Sequence, residues 1–184
     1  LFVEDDEQTP QPVHVLTSRD HPPQACCELC HQPVDKKPDT LTHLTADTLV
    51  AKNDPRLAFR AVLDSTIALT VWLQIELAES WQPWLMDIRS RLGNIMRADA
   101  LEEPLAAQSI AGFSEGQLHR LSHQPLRFLG HDHLVPEARH GREVALLNLL
   151  RGKVREAEVT AAQVFITPQF AVRRADIMQA LNRL

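Results

Sequence analysis

Four residues near the start of the chain carry side chains that bind transition metals: His14, Cys26, Cys27 and Cys30, in the spacing H-x11-C-C-x2-C. Within Cys27-x2-Cys30 a single tight turn can offer two thiolates to one ion, and His14 would be the distant fourth ligand. Thiolate and imidazole donors favour a borderline-soft ion, Zn(II) or Fe(II), over Mg(II) or Ca(II). The chain has 3 Cys in all, two of them adjacent, which is not the even, spaced count of a secreted disulfide scaffold. A reducing cytosol with metal-binding thiolates is expected.

A second set of chemically active residues lies in helical periods. At about 100° per residue, a helix over 138–165 places Arg151, Arg155 and Glu158 on the side of Val144, Leu147, Ala162 and Phe165. Lys153, Glu156, Thr160 and Gln163 would then face solvent. Two Arg four residues apart on an apolar face repel unless an anion or carboxylates sit between them, and phosphate oxygens would satisfy both forks. Asp64 falls in the stripe of Leu57, Ala68, Val71 and Ile75. A buried carboxylate needs a cation, and an Arg of the last helices is the candidate. The pairs His119/His123 and His131/His133 have chelating spacing but no third ligand, and read as solvated histidines. Trp72, Trp81 and Trp84 read as packing residues.

These groups must be positioned by helices. The 184 residues are 44% hydrophobic and 23% charged, with 26 Leu and 20 Ala against 6 Gly, the composition of a helix-rich domain rather than a disordered chain. A net charge of -5 and the absence of Tyr argue against nucleic acid as a partner. No run of eighteen apolar residues suggests a membrane span, and the acidic start from Leu1, without Met, reads as a fragment lacking a signal peptide.

Residues 1–44, with six of the 12 Pro and all the Cys, are expected to form an irregular metal-binding arm, and residues 45–184 a helical domain truncated at both ends. Asn53 or Asp54 can cap a first helix that begins at Pro55 and runs to about Ala78. Ser80 with Pro83 starts a second, carrying Leu85, Ile88, Leu92, Ile95 and Met96 and interrupted at Glu102-Glu103-Pro104. Residues 104–135 read as a connector with short helices such as Glu115 to His123. A long helix follows from about Ala138 to Phe165, and Thr167-Pro168 should open a last one still running at Leu184. The expected class is all-α, an antiparallel four- to five-helix bundle.

With the motifs on their helices, the chain resembles the ethanolamine-utilisation type of corrinoid adenosyltransferase, a branch of the ATP:cob(I)alamin adenosyltransferases related to the propanediol-utilisation type. The resemblance is carried by H-x11-C-C-x2-C, by Arg151-Gly-Lys-Val-Arg155-Glu-Ala-Glu158, similar to R-x-V-C-R-R-A-E, and by Leu181-Asn182-Arg183-Leu184, the start of L-N-R-L-S-D. Lys52-Asn-Asp-Pro-Arg56 through Ala61-Val-Leu-Asp64 resembles the K-x-D-x-R and G-x-x-D-E-L segments. The wider family's Gly-rich phosphate loop is replaced by Lys36-Lys37-Pro38-Asp39, which has no Gly.

The resemblance implies transfer of the 5'-deoxyadenosyl group of ATP to the Co(I) of a corrinoid, giving adenosylcobalamin, with Mg(II) accompanying ATP and Fe(II) or Zn(II) at the Cys cluster. It assigns Arg151, Arg155 and Asp64 to catalysis, with Asp64 pairing with Arg151. Arg151, Arg155, Glu158, Asn182, Arg183, Lys36 and Lys52 are assigned to ATP, and the apolar wedge that the reaction requires beneath the corrin is expected to be Phe128, an aromatic residue of the connector. It further implies a reductase or flavodoxin as electron donor, ethanolamine ammonia-lyase as consumer of the product, a homo-oligomer (dimer or trimer), and cytoplasmic localisation in association with a bacterial microcompartment. The alternative from another class is a non-catalytic, metal-stapled helical module that docks a partner protein. A charged triad within an apolar face is the feature that such a module has no reason to carry.

Overall fold

Asp54 stands in extended conformation (φ -61°, ψ 131°) and its side chain accepts the Arg56 N–H, so that with Pro55 at the first position it starts α1, Pro55–Glu76. The computed structural model describes residues 24–184; His14 lies outside them. The described residues fall into two compact units, one ending at Val50 and one spanning Ala51–Leu184.

Within the described part of the first unit, the segment expected to be irregular carries short regular structure. Three short strands, β1 (Cys26–Cys27), β2 (Leu41–His43) and β3 (Thr48–Ala51), form a sheet in the order β1-β3-β2. β1 runs parallel to β3, with Cys26 opposite Thr48 and Cys27 opposite Leu49. Strands of two to four residues are too short for alternation to show in a sequence.

The second unit is helical, as expected. After α1 come α2 (Gln82–Ala100), α3 (Glu115–His123), α4 (Pro125–Leu129), α5 (Gly141–Phe165) and α6 (Ala175–Arg183). α1 packs on both α2 and α5, and α5 on α6. Its inner face is Phe59, Leu63, Thr66, Thr70 and Leu73, a three- and four-residue spacing that faces Leu150, Val154, Ala157, Ala161 and Phe165 of α5. Phe59, near the start of α1, meets Phe165, at the end of α5, edge to face at 5.5 Å, which fixes the two helices as antiparallel. The buried hydroxyls of Thr66 and Thr70 donate to the carbonyls of Val62 and Thr66, both at 2.7 Å, so neither costs an unpaired polar group.

Two expectations change. The last helix opens at Ala175 rather than at Thr167-Pro168. Thr167 instead closes a turn in which its carbonyl accepts the Phe170 N–H at 2.8 Å and its N–H donates to the Ala171 carbonyl at 2.9 Å. Trp72 is not a core residue: it is 46% exposed, with its Nε1 donating to Glu76 at 3.0 Å. Trp84, by contrast, stacks on Phe113 of the connector with ring centroids 5.4 Å apart.

That connector is held by charges. Asp176 accepts the Leu105 N–H at 2.9 Å and pairs with Arg174 at 2.9 Å, while Arg174 donates to the carbonyls of Ala98 and Glu103. Asp87 accepts the Ala111 N–H at 2.7 Å. The buried Arg91 donates to the Ala106 carbonyl and to Glu115, at 2.7 Å for the latter. The hydrogen bonds from Arg174, with that from the Leu105 amide, lower the Asp176 carboxyl to about 2 from 3.8.

A depression of that size corresponds to about 2 kcal/mol of stability, fully present above the unfolded-state value and lost as pH falls through the folded one. Asp176→Asn should therefore lower unfolding stability by about 2 kcal/mol at pH 7. The gap from the unsubstituted protein should close between about pH 4 and pH 2. Urea titrations at the two ends of that window check the expectation; a gap that persists at pH 2 contradicts it.

Candidate active site

On α5 the 100° step places Arg151, Arg155 and Glu158 within an arc of about 60°, so the sequence reading that groups them holds. Their surroundings are corrected. The buried side of α5 is Leu150, Val154, Ala157, Ala161 and Phe165; Arg151 and Arg155 are exposed and Glu158 is half-buried. Lys153 and Thr160, expected in solvent, are half-buried. α5 is apolar on more than one side, which let the wheel be drawn around the wrong centre. Arg155 lines an open depression of about 380 Å³ with Val62 of α1 and Gly152, Glu156, Val159 and Thr160 of α5.

The fold also brings α6 to this face. Asn182 Nδ2 donates to Glu158 Oε1 at 2.8 Å, and Arg183 donates to Asn182 Oδ1 at 2.5 Å. The two sequence motifs, 24 positions apart from Glu158 to Asn182, thus meet as one hydrogen-bonded chain of carboxylate, amide and guanidinium. Such a chain fixes the orientation of the amide, and the exposed Arg151 and Arg155 add two charges able to take an anion.

Asp64 is exposed rather than buried. It stands on the outer side of α1, opposite Phe59 and Leu63, in line with Val71 and Ile75, which are 42% and 78% exposed. Within one chain the ion pair from α1 is made by another residue, Arg60, which reaches Asp99 of α2 at 2.7 Å. The only pairing of α5 with α1 through charge among the described residues is Arg142 with Glu76. Lys36 and Lys52 are both exposed. Phe128 on α4 is 43% exposed with the Arg127 guanidinium 5.4 Å from its ring centroid, among the exposed Leu126, Leu129, Leu134 and Val135.

In the first unit, Cys27 and Cys30 come together. Hydrogen bonds from the backbone of Cys30 and Leu29, and from the Cys30 side chain, hold the Cys27 thiol below its ordinary range, favouring the thiolate that a metal requires. Cys26 precedes Cys27 in the same strand, where successive side chains point to opposite faces, and its Sγ approaches the Gln24 carbonyl at 3.8 Å. No three His, Cys, Asp or Glu are grouped for a metal ion among the described residues.

The sequence did not reveal Arg91, Asp87 and Asp176. Each acts on a backbone group of an irregular segment, and no spacing announces such a partner.

Residues 34–184 match the family model described as cobalamin adenosyltransferase. Over its whole length the chain is 79% identical to the corrinoid adenosyltransferase EutT of Salmonella typhimurium strain LT2, spanning 69% of that protein. It is 77% identical to the corrinoid adenosyltransferase EutT of Escherichia coli strain K12, again over 69% of its length. No solved structure matches. With the α5 and α6 motifs joined on one face and a family match covering both, the chain belongs to the cobalamin adenosyltransferase family.

Proposed function

We propose that this protein is a transferase that moves the 5'-deoxyadenosyl group of ATP to the cobalt of a reduced corrinoid, producing adenosylcobalamin for ethanolamine breakdown. The observation that carries the reading is the Glu158–Asn182–Arg183 chain beside the exposed Arg151 and Arg155. The reaction is an alkylation: Co(I) attacks the ribose 5'-carbon, the Co–C bond forms, and the bond from C5' to the phosphate oxygen breaks. The leaving group is a polyphosphate anion, so the protein's tasks are to orient, to neutralise charge and to exclude water.

Arg151 and Arg155 take the departing phosphates, Glu158 orients Asn182 or Mg(II), and Asn182 fixes the nucleoside. Phe128 is assigned to the corrin as an apolar wedge. Lys36 and Lys52 are assigned to the phosphates by resemblance alone, and a reductase or flavodoxin supplies the electron. Because Arg155 is exposed and spans no core cavity, Arg155→Ala should leave thermal unfolding within about 0.5 kcal/mol of the unsubstituted protein. It should nonetheless slow adenosylcobalamin formation at least about tenfold, since a charge-assisted bond to phosphate is worth about 1.5 to 3 kcal/mol. Arg89→Ala on α2 is the control. Full activity in Arg155→Ala removes Arg155 from the phosphate site.

The outer stripe of α1, Leu57, Ala61, Ala68, Val71 and Ile75 around Asp64, is matched in charge by the exposed Arg151. We assign a second copy of this chain to it, with Asp64 and Arg151 pairing across the interface. Ile75→Asp should shift the protein to monomer in light scattering after size exclusion; an unchanged mass removes this assignment.

Cys27 and Cys30 are the thiolates that would hold Fe(II) or Zn(II); the motif adds His14 and Cys26, the latter on the other face of β1. The ion would serve as a structural staple of the first unit. Cys27→Ala should abolish stoichiometric metal in anaerobically reconstituted protein, read by elemental analysis. Full retention of metal by this variant places the ion elsewhere.

A further inference from the structure

α3 and α6 run side by side over two turns. Glu115 and His119 are four residues apart on α3, and Gln179 and Arg183 four apart on α6. At the first turn Gln179 Nε2 donates to Glu115 Oε2 at 2.9 Å. At the next, the same four-residue step along both helices brings Arg183 within electrostatic reach of His119. One turn further along α3, His123 packs its ring against His119, with centroids 4.1 Å apart and planes at 63°.

Three nitrogen bases from two helices thus converge. Burial first, then the charges of Arg183 and His123, hold the His119 imidazole below its ordinary value. His119 Nδ1 is enclosed and has no hydrogen-bond partner among the described residues. Arg183 gives Nη1 to Asn182 Oδ1, and the nearest carboxylate in the chain of bonds, Glu158, is engaged through that amide. A guanidinium beside two imidazoles gathers N–H donors at one place. An anion seated there would accept from the guanidinium and from the imidazole N–H groups. A metal ion is the poorer occupant, because the guanidinium beside the two imidazoles repels it.

We propose that His119, His123 and Arg183 form an oxyanion subsite that receives phosphate oxygens of a substrate. The proposal deepens the reading of this face as a nucleotide site and rests on it. It supplies donors in a chain whose Lys36-Lys37-Pro38-Asp39 segment has no Gly to wrap a phosphate with backbone amides. The arginine that would grip the phosphate also grips Asn182, so the subsite adjoins the nucleoside contact directly. The phosphate oxygens could be those of the ATP chain or of the single phosphodiester in a complete corrinoid.

The probe is inorganic tripolyphosphate, titrated calorimetrically into the full chain and into His123→Ala and Arg183→Ala. His123 is exposed, so its replacement keeps the fold, which far-UV circular dichroism checks. The affinity should fall at least about fivefold for His123→Ala and at least about tenfold for Arg183→Ala. In steady-state transfer His123→Ala should raise KM for one substrate with kcat changed less than twofold. A rise for ATP assigns the subsite to the nucleotide, and a rise for the corrinoid assigns it to the phosphodiester.

Tripolyphosphate affinity within twofold of the unsubstituted protein in both folded variants overturns the proposal. If the unsubstituted protein makes adenosylcobalamin while that affinity is indifferent to both residues, the subsite falls and the transferase reading stands. If it makes none but binds tripolyphosphate through His123 and Arg183, the subsite stands and the transferase reading falls.

Discussion

The distance between α1 and α5 is set by four small side chains, Thr66 and Thr70 on one helix and Ala157 and Ala161 on the other, all fully buried. They let the backbones approach until Thr66 Oγ1 lies 3.5 Å from the Lys153 carbonyl. Larger residues at the ends of the seam, Phe59 with Phe165 and Leu73 with Leu150 and Val154, then fill the widening gap. Everything on α5 inherits its direction from this seam. With Ala157 turned inward, Arg155 must turn outward and Glu158 must lie at the border, where α6 can reach it. α6 is held there by Ile177, Ala180 and Leu181 in the same core, so that Asn182 follows as the next residue outward. The placement of the candidate nucleotide groups is thus a packing result, and no charge is needed to explain it.

Charges are used elsewhere, to tie an irregular segment to regular ones. A helix satisfies its own amides, whereas residues 101–114 cannot, and Asp87, Asp176, Arg91 and Arg174 supply the missing partners from α2, α6 and the turn before α6. Glu115 belongs to two of these links at once, accepting from Arg91 of α2 and Gln179 of α6. The start of α3 is thereby positioned by both helices, and its own capping box, Ser114 with Gln117, fixes where it begins. The segment after α4 has no comparable set: residues 131–139 are exposed throughout.

Where the sequence spoke clearly, it did so through strong local terms. Asp54-Pro55 marked the start of α1, the Glu102-Glu103-Pro104 break marked the end of α2, and the period from 138 gave α5 its extent. Thr167-Pro168 is a helix start by local chemistry, yet the hydrogen bond from the Arg173 N–H to the Phe165 carbonyl folds the chain back first. The family and the grouping of Arg151, Arg155 and Glu158 were legible because motifs are written in fixed spacing. Which way that group points was not, because α5 carries Leu and Val around most of its circumference and a wheel has no unique centre when the apolar residues do not. Asp64 was misplaced for the same reason. The junction of His119 with Arg183 was out of reach, since it depends on two helices separated by more than fifty residues lying parallel.

α1 bears two apolar stripes on opposite sides, and this has a bearing on how the chain finds its fold. A hydrophobic collapse that knows only burial could seat the helix with either side inward: Phe59, Leu63 and Leu73, or Leu57, Val71 and Ile75. Half a turn of rotation about the axis exchanges them and would give a compact state of nearly the same oiliness. Asp64 separates the two, because the wrong rotation drives its carboxylate into the seam against Ala157 without a cation. Leu at that position would remove this penalty on the rotated packing. The residue assigned here to chemistry therefore doubles as the mark by which the chain tells its inside from its outside.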